Sequence, residues 1–453
     1  MPHHTHNSQA MTEGVIWKQI LAFFFPIMLG TLFQQLYNTV DAIVVGRFVG
    51  KEALAAVGGS SAQIINLLIG FFVGLSSGAS VIVSQRFGAQ DGEGVSRGIH
   101  TAMTLAIAAG ALMTTLGFLC APQLLRLMRT PEETLEGATV YLRVVFLAMI
   151  PSMIFNVGSG VLRAIGDSRR PLLFLMIACL ANVALDILFV IAFRMGVAGA
   201  AIATALAQLI CAAFILANLT RMPGDCRLDL RRLHMDTAIL RDTLRIGLPA
   251  GMQAVLYSLS NMIITATING FGTATVAAWV SLGKVDGMYW MINNAFGISV
   301  TTFVGQNFGA RRYERINKGL LTCGALSCAS AWLFSLAFIL LATPIFTLFT
   351  SDREVLEIAL IMVHSITPWY WLFVPVEMIS GGLRGMGNTL FPTIITAVGV
   401  CLFRVVWMFT VVPRWHAVRT ICISYPISWL LTGAIFVAYY CAVRKRLMLR
   451  GNL

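Results

Sequence analysis

The chain has 453 residues, of which 57% are hydrophobic and only 11% charged, with a mean hydropathy of +0.80. A soluble protein would carry about 25% charge, so a bilayer rather than a large aqueous core accounts for this composition. The net charge of +12 would suit a nucleic-acid binder, but the basic residues sit between hydrophobic stretches and report membrane orientation instead.

Residues 1–14, with His3, His4 and His6, read as a flexible tail rather than a metal site. Lys18 precedes a long apolar run with no small-residue cleavage site behind it, so no cleavable signal peptide is expected. A membrane helix needs roughly 20 apolar residues. Twelve are predicted, centred near Met28, Ile69, Ala109, Met149, Met176, Ala207, Met252, Asn293, Ser330, Trp371, Val398 and Thr432. The fold class is an all-α integral membrane protein with six helices in residues 15–222, a cytoplasmic linker at 223–238, and six helices in 239–446 before a short tail at 447–453. The linker mixes Pro, Gly, Asp and Arg and reads as solvated. The nine cysteines lie mostly inside apolar stretches without metal-ligand or disulfide spacing.

Lys and Arg collect on the cytoplasmic side of membrane proteins. Arg221, Arg227, Arg231, Arg232, Arg241 and Arg245 crowd the central connection, Arg311, Arg312, Arg315 and Lys318 follow span eight, and Arg444, Lys445 and Arg446 follow span twelve. Both termini are therefore expected in the cytoplasm, with the protein in the cell (inner) membrane.

The chain also says the same thing twice. Val83-Ser84-Gln85-Arg86-Phe87-Gly88-Ala89 returns 221 positions later as Val304-Gly305-Gln306-Asn307-Phe308-Gly309-Ala310. Ser159-Gly160-Val161-Leu162-Arg163-Ala164-Ile165-Gly166 returns at the same offset as Ser380-Gly381-Gly382-Leu383-Arg384-Gly385-Met386-Gly387. Two matches in one register indicate a duplicated half, the signature of a secondary transporter whose site lies between two pseudo-symmetric lobes.

These paired motifs, after spans two and eight and after spans four and ten, resemble the multidrug and toxic compound extrusion (MATE) family along nearly the whole chain. The resemblance implies twelve helices in two six-helix lobes and efflux driven by inward flow of protons or sodium through carboxylates buried in the lobes. The chain is most similar to the DinF-type branch, which pairs an Asp in span one with Asn-x-x-x-Asp in span five. Asp41, Asn182 and Asp186 stand in those places, and Gln34, Tyr37, Tyr141 and Thr204 match the polar residues that accompany them. The carboxylate that the NorM-like branch carries in span seven is missing between Pro249 and Gly272, and the resemblance leaves Glu377 in span ten as its candidate partial replacement.

The residues support the same chemistry independently. Gln34, Tyr37 with Asn38, and Asp41 recur at helical steps along one face, and Asn182 and Asp186 are four apart. A carboxylate inside a membrane span is costly and turns toward a cavity or a partner. Two together would take up a proton, or a sodium ion held by Asp41, Asn182 and Asp186, and would titrate as a unit. The structural alternative has both aspartates satisfying local hydrogen bonds or pairing with Arg143. Pro26 and Pro249 interrupt spans one and seven at corresponding places, as hinges or as fixed kinks.

In the second lobe Gln253, Tyr257 and Asn261 form a polar stripe, with Lys284 and Asp286 in span eight, Glu377 in span ten and Arg404 in span eleven. Gln34, Asn38, Tyr141, Gln253, Tyr257, Asn261 and Glu377 are the substrate-cleft candidates. An ion pair of Glu377 with Arg404 or Lys284 is left open. Trp279, Tyr289, Trp290 and Trp369-Tyr370-Trp371 would suit flat, lipophilic cations or lipid anchoring. Gly74-Leu75-Ser76-Ser77-Gly78 fits close helix packing.

The expected function is export of organic, often cationic, drugs or metabolites in exchange for protons or sodium by alternating access, with no cofactor and as a monomer. The alternative is a flippase for lipid-linked or amphiphilic intermediates. An enzyme is disfavoured: no nucleophile, His-rich metal motif or P-loop converges by spacing.

Overall fold

A computed structural model describes residues 11–451, with side chains as far as residue 445. The histidines of the N-terminal tail lie outside the described residues. Among the described residues there are helices and turns and no strand.

Twelve long helical segments follow one another: Ile16–Phe48, Lys51–Gly88, Gly92–Leu127, Glu132–Leu147 with Met149–Ala164, Arg169–Ala192, Gly196–Thr220, Thr237–Asn269, Thr273–Gly309, Tyr313–Phe349, Arg353–Gly385, Leu390–Thr410 and Val418–Gly451. Each expected centre falls within one of them. Among the described residues nine helices are long and apolar enough to cross a membrane, and the bent fourth makes ten. The seventh and eighth, at 33 and 37 residues, are long enough but more polar. Their polar content is explained by the cavity they line.

By contacts the chain divides into two compact units. The first takes Phe25–Gly251, and the second takes Met11–Phe24 and the chain from Met252 onward. The boundaries therefore fall beside Pro26 and Pro249, not at residues 14 and 222. Side chains explain the shift.

In the first unit, residues 223–238 are mostly exposed, as a solvated linker is expected to be, but they are anchored as well. Cys226 and Leu228 are buried with Ile99, Met103 and Leu162. The Asp229 N–H donates to His100 Nε2 at 3.1 Å, and the Asp236 N–H donates to Thr101 Oγ1 at 3.1 Å. Two apolar side chains among the charges were enough to pull this segment onto the third helix. Ile239 and Ile246 of the seventh helix then bury Val81 and Ile82.

In the second unit, residues 11–14 do not behave as a free tail. Met11 is buried, its N–H donates to Gln306 Oε1 at 2.7 Å, and Asn307 Nδ2 donates to its carbonyl at 3.2 Å. Arg312 and Arg315 donate to the carbonyls of Thr12 and Gly14 at 2.6 and 2.9 Å. The side chains that hold this segment belong to the second copy of the repeated motif, to the turn that follows it and to the first turn of the ninth helix. At the other end, the last helix continues to Gly451, into residues expected as tail.

The duplication is visible in the turns. Ala89 and Ala310 close their helices with N–H to carbonyl bonds to Gln85 and Gln306 at 2.9 and 3.0 Å. Gly166 and Gly387, 221 positions apart, hold φ values of 95° and 84°. Those values are costly for any residue with a Cβ, so the repeated sequence needs glycine there. Spans four and ten break at matching places. The fourth bends by 49° at Ala148, and the tenth tightens to a 3-10 turn over Thr367–Phe373. Backbone carbonyls freed inside a bilayer must find donors. Thr114 Oγ1 supplies one to Phe146 O at 2.8 Å, and Ser335 Oγ, 221 positions later, supplies one to Thr367 O at 2.7 Å.

Candidate functional site

Two polar sites lie within the units, one in each. The first unit brings Asp41 of the first helix together with Asn182 and Asp186 of the fifth. All three are buried, with Asn182 and Asp186 fully inaccessible. Asp41 and Asp186 lie close enough for their charges to act on one another and on Tyr37 and Tyr141. Among the described residues, Asp41 Oδ1, both oxygens of Asp186, both amide atoms of Asn182, and the hydroxyl of Thr204 have no hydrogen-bond partner. Gln208 Oε1 adds another from the sixth helix.

Buried polar atoms are nearly always paired, and an unpaired one inside a membrane costs several kcal/mol. The carboxylate and amide oxygens among these atoms are the kind of ligand that a proton or a small hard cation would satisfy. Backbone geometry adds to the arrangement. Asp186 ends its α-helical stretch, and Ile187–Ala192 continues with a wider π turn, a distortion frequent at functional positions. Arg143 does not neutralise the pair: its Nε donates to Phe118 O at 3.4 Å and its guanidinium lies 5.2 Å over the Phe118 ring. Gln34 and Asn38 are exposed and stay outside this buried cluster, whereas Tyr37 is half-buried and Tyr141 buried.

The second unit encloses a cavity of about 550 Å³. Tyr257, Asn261, Asp286, Glu377 and Arg404 line it, together with Trp279, Trp290, Tyr425, Trp429 and Asn293. Gln253 is half-buried and not among the lining residues, and Lys284 is exposed. The broken tenth helix positions the wall. Tyr289 donates to the Tyr370 carbonyl at 2.9 Å, and Tyr370 turns its own hydroxyl onto Asp286 Oδ1. Trp290 Nε1 donates to Asp286 Oδ2 at 2.6 Å.

The open question of an ion pair resolves against it. Among the described residues neither Glu377 nor Arg404 forms a salt bridge. Arg404 instead stacks 3.9 Å from the ring centre of Tyr425 and donates from Nε to Ser428 Oγ at 3.0 Å. A π segment, Ala397–Leu402, ends two residues before it, so each unit has a π turn next to its buried ionisable group. Among the described residues no group of three or more His, Cys, Asp or Glu side chains could hold a metal ion.

Sequence reasoning missed Gln208, Asn293 and Trp429. Gln208 alone carried a signal, standing four residues after Thr204 in an alanine-rich helix. Asn293 and Trp429 look like ordinary span residues until the helices are assembled.

The sequence profile of the MatE family matches residues 26–188 and 249–410. "Probable multidrug resistance protein YoeA" of Bacillus subtilis (strain 168) is 27% identical over 451 residues, covering 97% of this chain and 96% of that one. "Probable multidrug resistance protein YpnP" of the same organism is 31% identical over 315 residues, covering 67% and 68%. A solved structure described as the outward-facing conformation of a multidrug resistance MATE family transporter superposes with a TM-score of 0.91 at 24% identity, covering 98% of this chain and 100% of that one.

Proposed function

The chain belongs to the MatE family of multi-pass membrane transporters, which are not enzymes, and we propose that it exports organic compounds in exchange for a proton or a sodium ion taken up at Asp41 and Asp186. Multidrug efflux follows from the family. The coupling is our own reading, and one observation carries it: the group of unpartnered acceptors at Asp41, Asn182, Asp186 and Thr204.

With a cation bound, the two carboxylates share a positive charge and sit comfortably out of water. Without it, both are desolvated beside one another, which is unfavourable. The first unit therefore prefers one arrangement when loaded and another, admitting water, when empty. An antiporter needs such a two-state element. Pro26 lies four turns before Asp41 on the same helix and marks where that helix passes from one unit to the other. Pro249 does the same for the seventh helix. We assign the two prolines as hinges for alternating access.

Cargo would be small organic molecules, the protein would act as a monomer, and both termini would face the cytoplasm of the cell (inner) membrane. Vesicles that hold the purified protein and a fluorescent cationic dye test the coupling. Dye should move when a pH gradient or a sodium gradient is imposed and stand still without either. Equal movement with no gradient would remove the antiport reading.

A further inference from the structure

We propose that the second unit's cavity binds an aromatic zwitterion, its acidic group on Arg404 and Trp429 and its ammonium group on Glu377 and Asn293. The inference rests on the chain being a transporter of organic molecules and assigns the chemical class that this one cavity takes.

Two donors with nothing to donate to carry the first half. Arg404 is 4% exposed and its Nη2 has no hydrogen-bond partner among the described residues, while Trp429 is fully buried and its Nε1 has none there either. Both line the cavity, and the guanidinium carbon stands 5.6 Å from the centre of the Trp429 ring. Stacking on Tyr425 and the bond to Ser428 fix the guanidinium in place. A buried, oriented guanidinium edge beside an indole N–H offers what a carboxylate or phosphate accepts: charge-assisted bonds in fixed directions. Among the described residues no protein acceptor answers them. Asp286, whose charge also acts on Arg404, forms no ion pair with it, and its two oxygens already receive Trp290 and Tyr370.

The opposite polarity is left unmatched elsewhere in the wall. Glu377 lies against Gly297 and makes no hydrogen bond or ion pair among the described residues, although the charge of Arg384 reaches it. Asn293 is 3% exposed and its Oδ1 is unpartnered among the described residues. Both line the same cavity, from the tenth and eighth helices. An ammonium group supplies the donors they lack. Aromatic rings complete the wall, Trp279 and Trp290 among them, and a volume of about 550 Å³ falls in the usual range for small-molecule sites.

Calorimetric titration of the purified protein with naphthylalanine, its methyl ester and its N-acetyl derivative tests this. The ester has no acidic group and the acetyl compound no ammonium. Native protein should bind naphthylalanine about tenfold more tightly than either derivative, the loss expected for one charged hydrogen-bonding group. Arg404→Gln should abolish the preference for acid over ester and keep the preference for free amine; Glu377→Gln should do the reverse. Should Arg404→Gln fail to fold, Trp429→Phe keeps the guanidinium and should weaken the acid severalfold while leaving the ester unchanged. An ester that binds native protein as tightly as the acid, an Arg404→Gln protein that still prefers the acid, or no binding of any of the three overturns the proposal. Binding is read without any gradient, so loss of ion coupling and loss of this site are told apart.

Discussion

Thr114 donates its hydroxyl to the carbonyl of Phe146 at 2.8 Å, from the third helix into the break of the fourth. That carbonyl has lost its place in the helical ladder, and no water is available at depth in a bilayer. Thr114→Val keeps the shape and removes the donor. It should cost about 1–3 kcal/mol, seen as a lower melting temperature in detergent, and Thr114→Ser should recover most of the loss. Equal melting of native and Thr114→Val protein would mean the break is satisfied in another way.

Gly74 packs against the seventh helix so closely that a Cβ there would meet the Gly251 Cα at 2.5 Å. The obstacle is backbone, which cannot step aside. Gly74→Val should destabilise the protein by about 1–3 kcal/mol, whereas Gly324→Ala, with nothing within 4 Å of the new methyl, should melt as native does. Thermal denaturation of both variants checks the contrast, and indistinguishable melting would refute the close approach.

Pro26 removes a backbone hydrogen bond two residues beyond the point where the first helix changes unit. If that point flexes during transport, Pro26→Ala should fold normally, bind ligand, and export dye severalfold more slowly. Transport at the native rate in vesicles would reduce the proline to a fixed kink.

Asp236 caps the seventh helix, accepting the N–H groups of Ala238 and Ile239 at 2.9 and 3.1 Å. The backbone bond from Ile239, then that from Ala238, and the nearby Arg97 hold its carboxyl below the usual aspartate range. A carboxylate lowered in the folded state stabilises fully above its unfolded value and loses that contribution as pH falls through the folded one. Hydrogen exchange at Ala238 and Ile239, corrected for intrinsic rates, should stay slow at neutral pH and quicken below the ordinary aspartate range. Asp236→Ala should exchange fast throughout. A pH-independent profile in native protein would contradict the cap.

Much of this molecule can be read from its residues because a bilayer leaves few options. Apolar length fixes the helices, and the repeat at offset 221 fixes their pairing into halves. Asp41, Asn182 and Asp186 stand out because carboxylates are so costly in lipid. What stayed hidden depends on contacts between distant parts of the chain. Cys226 and Leu228 look like linker until the third helix meets them, and Met11 looks like tail until Gln306 accepts its N–H. For Arg404 the residues leave an ion pair open, yet an aromatic ring supported by Ser428 takes it, and sequence spacing cannot tell a carboxylate partner from a π face. Gln34 and Asn38 share the helical rhythm of Asp41 but not its burial. A helix face turns away from its neighbours over a few tens of degrees, which periodicity alone does not resolve.

The proposed ion coupling depends on the aspartates of the first unit. Dye efflux from vesicles under an imposed pH gradient and then a sodium gradient should be rapid for native protein. Asp41→Asn and Asp186→Asn, each inserted at native levels, should lose the gradient-driven component entirely. Gradient-driven efflux at the native rate from a well-folded Asp41→Asn, Asp186→Asn double variant would show that the coupling cation travels elsewhere.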